Sequence, residues 1–190
     1  MAADHPVTDL MNDHRLIERV MAALEQRLAA PGAFPAEFVE QALNFFVEYA
    51  DHFHHYKEEE TLFPAMAKRG VPVEGGPIGM MLHEHALGRK LLADIRENLT
   101  SAHSGDEQAC VYIRAYAEQY IGLLRNHIWK EDNVLFMMAR NVLVGQTAES
   151  LLTLFRAEAE TGRASATVEK HAAFAKSLGP PAEAEIEPDC

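Results

Sequence analysis

The sequence is poor in cysteine, in positive charge, in long apolar runs and in the alternating patterns that are typical of β-strands. Its two cysteines, Cys110 and Cys190, lie far apart, so no disulfide scaffold is expected, which fits a reducing cytoplasm. The formal net charge of −12 argues against nucleic acid and anionic membranes as partners. No apolar run approaches the length of a membrane span, and Asp4, His5 and Pro6 interrupt any signal-peptide pattern. The sequence therefore predicts a cytoplasmic protein that binds neither membranes nor nucleic acid.

Long helical stretches fill most of the chain. Glycine and proline are concentrated in short segments, and between them apolar residues recur with the period of an α-helix. The fourth stretch begins with a capping box, Ser104-x-x-Glu107. Short loops between long helices predict an all-α, antiparallel, up-down-up-down four-helix bundle in residues 1–145. Its four helices are expected over residues 8–29, 36–68, 78–100 and 105–143.

The chain continues beyond this bundle. Two shorter helices are predicted at residues 148–160 and 164–178, where apolar residues recur and need a surface to cover. They make up a C-terminal helical extension of residues 146–179. Residues 180–190 are acidic and rich in proline, and we expect them to form a disordered tail.

One short pattern occurs twice, a histidine followed four residues later by a glutamate and then by a Leu-Phe pair. Positions four apart share one face of an α-helix, about 6 Å apart along its axis. Two such helices that face each other would supply two imidazoles and two carboxylates, which is most of a dinuclear metal site. The two copies are His55-x-x-x-Glu59 with Leu62-Phe63, and His127-x-x-x-Glu131 with Leu135-Phe136.

Two further histidines, His14 and His85, lie on the apolar stripes of the first and third predicted helices. Residues can be counted from the loops that share one end of an antiparallel bundle. At 1.5 Å per residue, the count puts these two histidines and His55 and His127 within about 9 Å in height. All four are therefore expected to meet in one layer of the bundle.

Neighbouring carboxylates compete for the predicted site. In the second helix we favour Glu59, and the flanking Glu58 and Glu60 are expected to point away from it. In the fourth helix Asp132 competes with Glu131, because the Leu-Phe pair follows the histidine one residue later there than in the second helix. We favour Glu131, and both favoured glutamates are candidate bridges between two metal ions.

Other polar residues lie near the predicted site. We expect His83 to be exposed and His54 to face outward, whereas His52 lies on the inward edge as a candidate hydrogen-bond donor to the ligands. Tyr116 and Tyr120 share the face of the fourth-helix histidine, and we interpret them first as ordinary aromatic core. The alternative is that one phenol approaches the metals.

The donor set constrains the metal. Imidazole and carboxylate suit iron, manganese or zinc, and no thiolate is placed to join them. Four neutral imidazoles and two carboxylates carry a charge of −2, which two divalent ions and a bridging hydroxide change to about +1. Without metal, these residues would make a poor apolar core.

The motifs together resemble the hemerythrin-like family, whose module is also called the HHE cation-binding domain. The resemblance covers about residues 8–140 and implies a non-haem di-iron centre bridged by carboxylates and an oxo or hydroxo group. It supports His14, His55, Glu59, His85, His127 and Glu131 as ligands. The blocks that carry it are residues 13–18, 55–64, 76–77, 81–85, 88–89 and 127–132.

The resemblance also suggests functions. Family members bind or process O2, NO or peroxide, and some help to repair iron centres. The oxygen carriers have a further histidine where this chain has Met81, so four histidines and two carboxylates instead resemble bacterial proteins of oxidative and nitrosative stress. We expect binding or sensing of O2, NO or reactive oxygen species by a monomer or weak homodimer. The alternatives are a di-iron enzyme for peroxide decomposition or oxidase chemistry, and an iron-centre repair or iron storage protein.

Overall fold

The computed structural model describes residues 5–160 and 162–179, and it contains no β-strand among them. The first helix, α1, comprises Pro6–Ala29. Proline is favoured in the first turn of a helix, where its missing N–H needs no partner, and the His5 ring accepts a hydrogen bond from the Val7 N–H at 3.3 Å. No helix in the described ranges is long and apolar enough to cross a membrane. The predicted acidic tail falls outside the described residues.

The second long helix is not uniform. It begins as α2 (Ala36–Phe45) and continues without a break into the π-helical segment π1 (Phe46–His55). A second π-helical turn, π2 (Glu58–Leu62), leads into α3 (Phe63–Ala67). In π2 the Phe63 N–H donates to the Glu58 carbonyl, five residues back instead of four. The predicted continuous helix over residues 36–68 is therefore present, but with wider turns close to its histidines.

The third and fourth long helices pack directly against each other. They are α4 (Pro77–His103), and α5 (Glu107–Lys130) followed by π3 (Glu131–Leu135) and α6 (Phe136–Val142). The predicted Ser104 cap is wrong. Asp106 caps α5 by accepting hydrogen bonds from the N–H groups of Gln108 and Ala109, whereas Ser104 caps the C-terminal end of α4 and its hydroxyl donates to the Thr100 carbonyl.

The two short C-terminal helices lie close to the predicted positions, as α7 (Gln146–Glu160) and α8 (Gly162–Ser177). They complete two separate apolar clusters. Phe155 of α7 is buried in a cluster with Leu10 and Phe136, whereas Ala175 of α8 is buried in a larger cluster with Ile17.

The functional layer lies between these two apolar clusters. On α1, Leu10 belongs to one cluster and Ile17 to the other, and the buried His14 lies between them. The order is the same on α4, where His85 separates Met81 from Leu92. A polar layer enclosed by apolar residues on both sides is well shielded from water, so its groups must find partners within it.

Candidate metal centre

Seven buried side chains form the centre of this layer, five histidines and two glutamates. Each exposes 7% or less of its surface. They come from α1, from both π-helical segments of the second helix, from α4 and from the α5–π3 junction. The seven residues, called here the inner cluster, are His14, His54, His55, Glu58, His85, His127 and Glu131.

The inner cluster divides into two groups that share Glu58. In each group, one donor atom from every residue lies within 4.8 Å of all the others, which is close enough to surround a single ion. One group has three imidazoles and the other has two imidazoles and a second glutamate. The groups are His55, Glu58, His85 and His127, and His14, His54, Glu58 and Glu131.

Both glutamates contact histidines of both groups. Glu58 lies 3.5 Å from the His54 Nε2 atom through Oε1 and 3.6 Å from the His85 Nε2 atom through Oε2. The Oε2 atom of Glu131 lies 3.2 Å from the Nε2 atom of His14 and 3.3 Å from that of His127. Each carboxylate is thus placed between the two groups, as a bridging ligand would be.

The structure brings together all four histidines expected in one layer, and it adds two residues that we expected elsewhere. The expectations that His54 faces outward and that Glu58 points away are wrong, since both are buried in the inner cluster. They were based on regular α-helical turns. His54 and His55 end the π-helical segment π1, and Glu58 begins π2, so successive side chains are rotated differently there and both histidines face inward.

The sequence contains a pattern that indicates the inward placement of His54 and Glu58. His54-x-x-x-Glu58 has the same spacing as His55-x-x-x-Glu59, one residue earlier. Counted from His54, Leu62 follows after eight residues, and Leu135 follows His127 after the same interval. The one-residue mismatch between the two copies thus disappears when the first copy is counted from His54.

The other candidates lie outside the inner cluster. Glu59 is partly exposed and faces the Nδ1 atom of His85 at 2.6 Å, and Asp132 faces the Nδ1 atom of His14 at 2.7 Å. His83 is exposed, as expected. The inward placement expected for His52 is wrong, because its side chain is 69% exposed.

The aromatic residues near the inner cluster have packing roles. Tyr120 is buried edge-on against Phe46, with ring centroids 5.0 Å apart, and Tyr116 is partly buried. Each Leu-Phe pair contributes a ring that stacks on an inner histidine. Phe63 lies over His85 at 6.0 Å and Phe136 over His14 at 5.4 Å, and both rings are almost fully buried. The repeated motif therefore supplies an apolar wall to the site as well as a carboxylate.

The donor atoms of the inner cluster fit a metal better than they fit one another. All four carboxylate oxygens of Glu58 and Glu131 are buried without a hydrogen-bond donor, a costly arrangement for an ionised group. Two pairs of Nε2 atoms, His14 with His54 and His85 with His127, are each 3.1 Å apart. Ligands about 2.1 Å from one ion and at right angles lie about 3 Å apart, so this spacing suits two nitrogens on one metal.

The two glutamates have opposite electrostatic surroundings. Burial and the nearby Glu131 raise the pKa of Glu58 well above its ordinary value. Burial would also raise the pKa of Glu131, but His127 and His14 lower it well below the usual range. Burial would lower the pKa of His127, yet Glu131 and Glu84 raise it to about 9. The protein's own groups thus compensate the charge of only one glutamate, and a cation beside Glu58 would compensate the other.

Comparison with known families identifies this layer. The sequence profile of the hemerythrin HHE cation binding domain matches residues 5–139, which include every residue of the inner cluster. The chain belongs to the hemerythrin-like family. The matched profile is that of a cation-binding domain, which agrees with the chemistry of the buried His and Glu donors in this hemerythrin-like chain.

Several curated proteins resemble this hemerythrin-like chain. The iron-sulfur cluster repair protein DnrN of Neisseria gonorrhoeae is 32% identical over 139 residues, which are 70% of this chain and 86% of DnrN. The repair protein YtfE of Yersinia pestis is 41% identical over 91 residues, or 45% of this chain and 40% of YtfE. The uncharacterized protein Rv1995 of Mycobacterium tuberculosis is 26% identical over 185 residues, which are 92% of this chain and 71% of Rv1995. No solved structure matches the chain significantly.

Proposed function

We propose that the inner cluster holds two iron ions, with Glu58 and Glu131 as the bridging carboxylates. His55, His85 and His127 would bind one ion, and His14 and His54 the other. Glu58 replaces Glu59 in the ligand set expected from the sequence. The imidazole and carboxylate donors suit manganese and zinc as well, so the metal has to be identified by analysis. We also propose that the four long helices are antiparallel, an arrangement that the convergence of these residues supports.

One observation carries this proposal. Four carboxylate oxygens are fully buried with no hydrogen-bond donor, and they lie among the Nε2 atoms of four histidines. Two buried carboxylates that lack hydrogen-bond donors would destabilise the fold. Divalent cations would provide the missing partners for the carboxylates and for the imidazoles together.

We propose that the site binds or senses a small oxidant or diatomic ligand, namely O2, NO or peroxide. Iron bound there would supply Lewis acidity and one-electron redox chemistry. The protein would supply unequal surroundings, because one group has three imidazoles and the other only two. An external ligand is expected beside His14 and His54, where fewer protein donors are available. Phe136, stacked on His14, would limit the access of water there.

The second candidate is iron-sulfur cluster repair. It is favoured by the similarity to the repair protein DnrN, most of whose length this chain covers. Enzymatic peroxide decomposition, oxidase chemistry and iron storage use the same residues and are tested by the same measurements. For each of these functions we propose a cytoplasmic monomer or weak homodimer.

The test starts with anaerobically purified full-length protein. Elemental analysis is expected to give about two iron ions per chain, with optical spectra that differ between the reduced and oxidised forms. Exposure of the reduced form to O2, NO and peroxide in separate experiments would distinguish the candidates. A reversible band supports binding, catalytic removal of peroxide supports an enzyme, and transfer of iron to an apo iron-sulfur protein supports repair. Failure to load any transition metal would refute the proposed function.

A further inference from the structure

Each of the five inner histidines faces a carboxylate with its other ring nitrogen, Nδ1. We call these five carboxylates, Asp13, Asp51, Glu59, Glu84 and Asp132, the outer ring. The distances from Nδ1 to a carboxylate oxygen range from 2.6 to 3.4 Å. The pairs are His14 with Asp132, His54 with Asp13, His55 with Asp51, His85 with Glu59, and His127 with Glu84.

This pattern does not arise from ordinary helix periodicity. Asp51 and His55 are the one pair separated by a single helical turn. In the other four pairs the carboxylate and the imidazole come from different long helices, for example Glu84 of α4 with His127 of α5, at 3.0 Å. Independent surface contacts would not be expected to provide a carboxylate partner for every inner histidine.

Every carboxylate of the outer ring is itself paired with a cation. Arg89 donates to Asp51 at 2.8 Å and to Glu59 at 2.7 Å. The remaining cation pairs are Arg15 with Asp132, Lys57 with Asp13, and Lys130 with Glu84.

A carboxylate held in an ion pair by lysine or arginine accepts hydrogen bonds and does not donate them. The Nδ1 atom of each inner histidine must therefore carry a proton, which leaves Nε2 to face the inner cluster. The inner cluster and the outer ring together contain seven carboxylates, and four lysine and arginine cations pair with those of the outer ring. If the imidazoles are neutral, the net charge of these groups is −3. Two divalent ions would change this charge to +1.

We propose that the outer ring is a set of positioning residues that fixes all five imidazoles with Nε2 inward and makes each a stronger electron donor to bound iron. This inference rests on the proposed function. A carboxylate that accepts the Nδ1 proton increases the electron density at Nε2. Stronger donors stabilise the more oxidised state of a metal, so the outer ring lowers the reduction potential of the iron pair.

Asp13 and Glu84 are the most informative positions. Asp13 accepts hydrogen bonds from the Tyr49 hydroxyl at 2.8 Å, from Lys57 and from His54. Lys57 is itself buried, 4.1 Å above the Phe53 ring and next to Phe155 of α7. Glu84 contacts only its histidine and Lys130 among the described polar groups, so its replacement disturbs less of the surroundings.

The experiment compares Asp13→Asn and Glu84→Gln with Asp94→Asn in the iron-loaded full-length protein. Asp94 is the matched control, because it pairs with Lys90 at 2.8 Å on the surface of α4 and faces no histidine in the described part of the chain. We expect the two ring variants to raise the reduction potential in an optical redox titration. Their iron affinity should fall by about 10- to 100-fold in competition with a chelator. The control should match the wild type in both measurements.

Two further measurements separate this inference from the proposed function and from misfolding. Histidine ¹⁵N NMR of the metal-free protein reports the proton on each ring nitrogen, and we expect Nδ1 to be protonated in all five. Compared with Glu84→Gln, Glu84→Asp is expected to bring the reduction potential part of the way back to the wild-type value, which a general packing defect would not explain. The inference is overturned if Nδ1 is unprotonated in any of the five, or if both ring variants have wild-type potential and affinity. A wild type that binds no iron refutes the proposed function and the electron-donor role, whereas the NMR result still tests the orientation.

Discussion

His54 and His55 are neighbours in the sequence, yet their imidazoles belong to different halves of the inner cluster. His54 lies with its Nε2 atom 3.1 Å from that of His14, whereas the His55 ring stacks on His85 with centroids 3.8 Å apart. Adjacent residues of a regular α-helix point about 100° apart, and here both side chains face inward beside π-helical turns. One helix thereby contributes an imidazole to each proposed metal position.

This division predicts unequal effects of histidine removal. His54→Ala leaves one imidazole in its group, whereas His55→Ala leaves two in the other. We expect His54→Ala to lose about one iron per chain, and His55→Ala to retain more of its iron under the same dialysis. His52→Ala is the control, because His52 is exposed and should not affect the metal content. Equal iron losses in His52→Ala and His54→Ala would contradict the proposed ligand set.

The two adjacent glutamates provide a second test. Glu58→Gln removes a bridging carboxylate from both groups, and the protein is expected to lose most of its iron in elemental analysis. Glu59→Gln removes only a partner of His85 and Arg89, so about two ions per chain should remain, with affinity lowered by about 10- to 100-fold. If the Glu59 variant loses its iron and the Glu58 variant keeps it, the ligand expected from the regular helical pattern is the correct one.

Metal removal is expected to destabilise the fold. The inner cluster contains four buried carboxylate oxygens without a hydrogen-bond donor, and a metal that binds only the folded state stabilises it by about 2.7 kcal/mol at a free concentration of 100 Kd. In a chain of this size, Tm falls by roughly 2–4 °C for each kcal/mol of lost stability, so chelation is expected to lower Tm by about 5–10 °C. Calorimetry with and without chelator measures this change in Tm, and re-addition of iron should restore the original value. Identical melting curves would argue against a metal at this site.

Two glycines of α4 predict opposite stability changes. A Cβ atom at Gly88 would lie 3.5 Å from the Tyr120 ring, an ordinary contact, so Gly88→Ala should stabilise the helix by about 0.5–1 kcal/mol. A Cβ atom at Gly79 would lie 2.3 Å from the Val73 carbonyl oxygen, so Gly79→Ala should be destabilising. Denaturant unfolding measures both. Loss of iron from a stable Gly88→Ala protein would instead show that this glycine makes room for the metal site.

Much of the fold and part of the site could be predicted from the sequence. Apolar periodicity identified the long helices, and the residue count brought His14, His55, His85 and His127 into one layer. The count worked because shifts of one or two residues change heights by only about 3 Å. The choice between Glu58 and Glu59 failed because side-chain direction is far more sensitive, and one π-helical turn changes which of two neighbours faces inward.

The outer ring could not be predicted from sequence spacing. Asp13 and His54 are 41 residues apart, and Glu84 and His127 are 43 residues apart. Such pairs depend on the rotation and offset of packed helices, for which helical periodicity gives no information. The sequence does contain one indication, since Asp132 was identified as a competitor of Glu131. In the structure, Glu131 lies among the Nε2 atoms of the inner histidines, whereas Asp132 lies at the Nδ1 atom of His14.

The π-helical turns at Glu58–Leu62 and Glu131–Leu135 also have a consequence for comparing relatives. A π-helical turn accommodates one more residue than the α-helical turn it replaces. A relative with an α-helical turn in place of Glu58–Leu62 would therefore have one residue fewer before its Leu-Phe pair. Ungapped alignment would then match His55 and Glu59 of this chain to the wrong partners. Alignments anchored on Leu62-Phe63 and Leu135-Phe136, with a one-residue gap allowed upstream, would place the ligands of both helices in register.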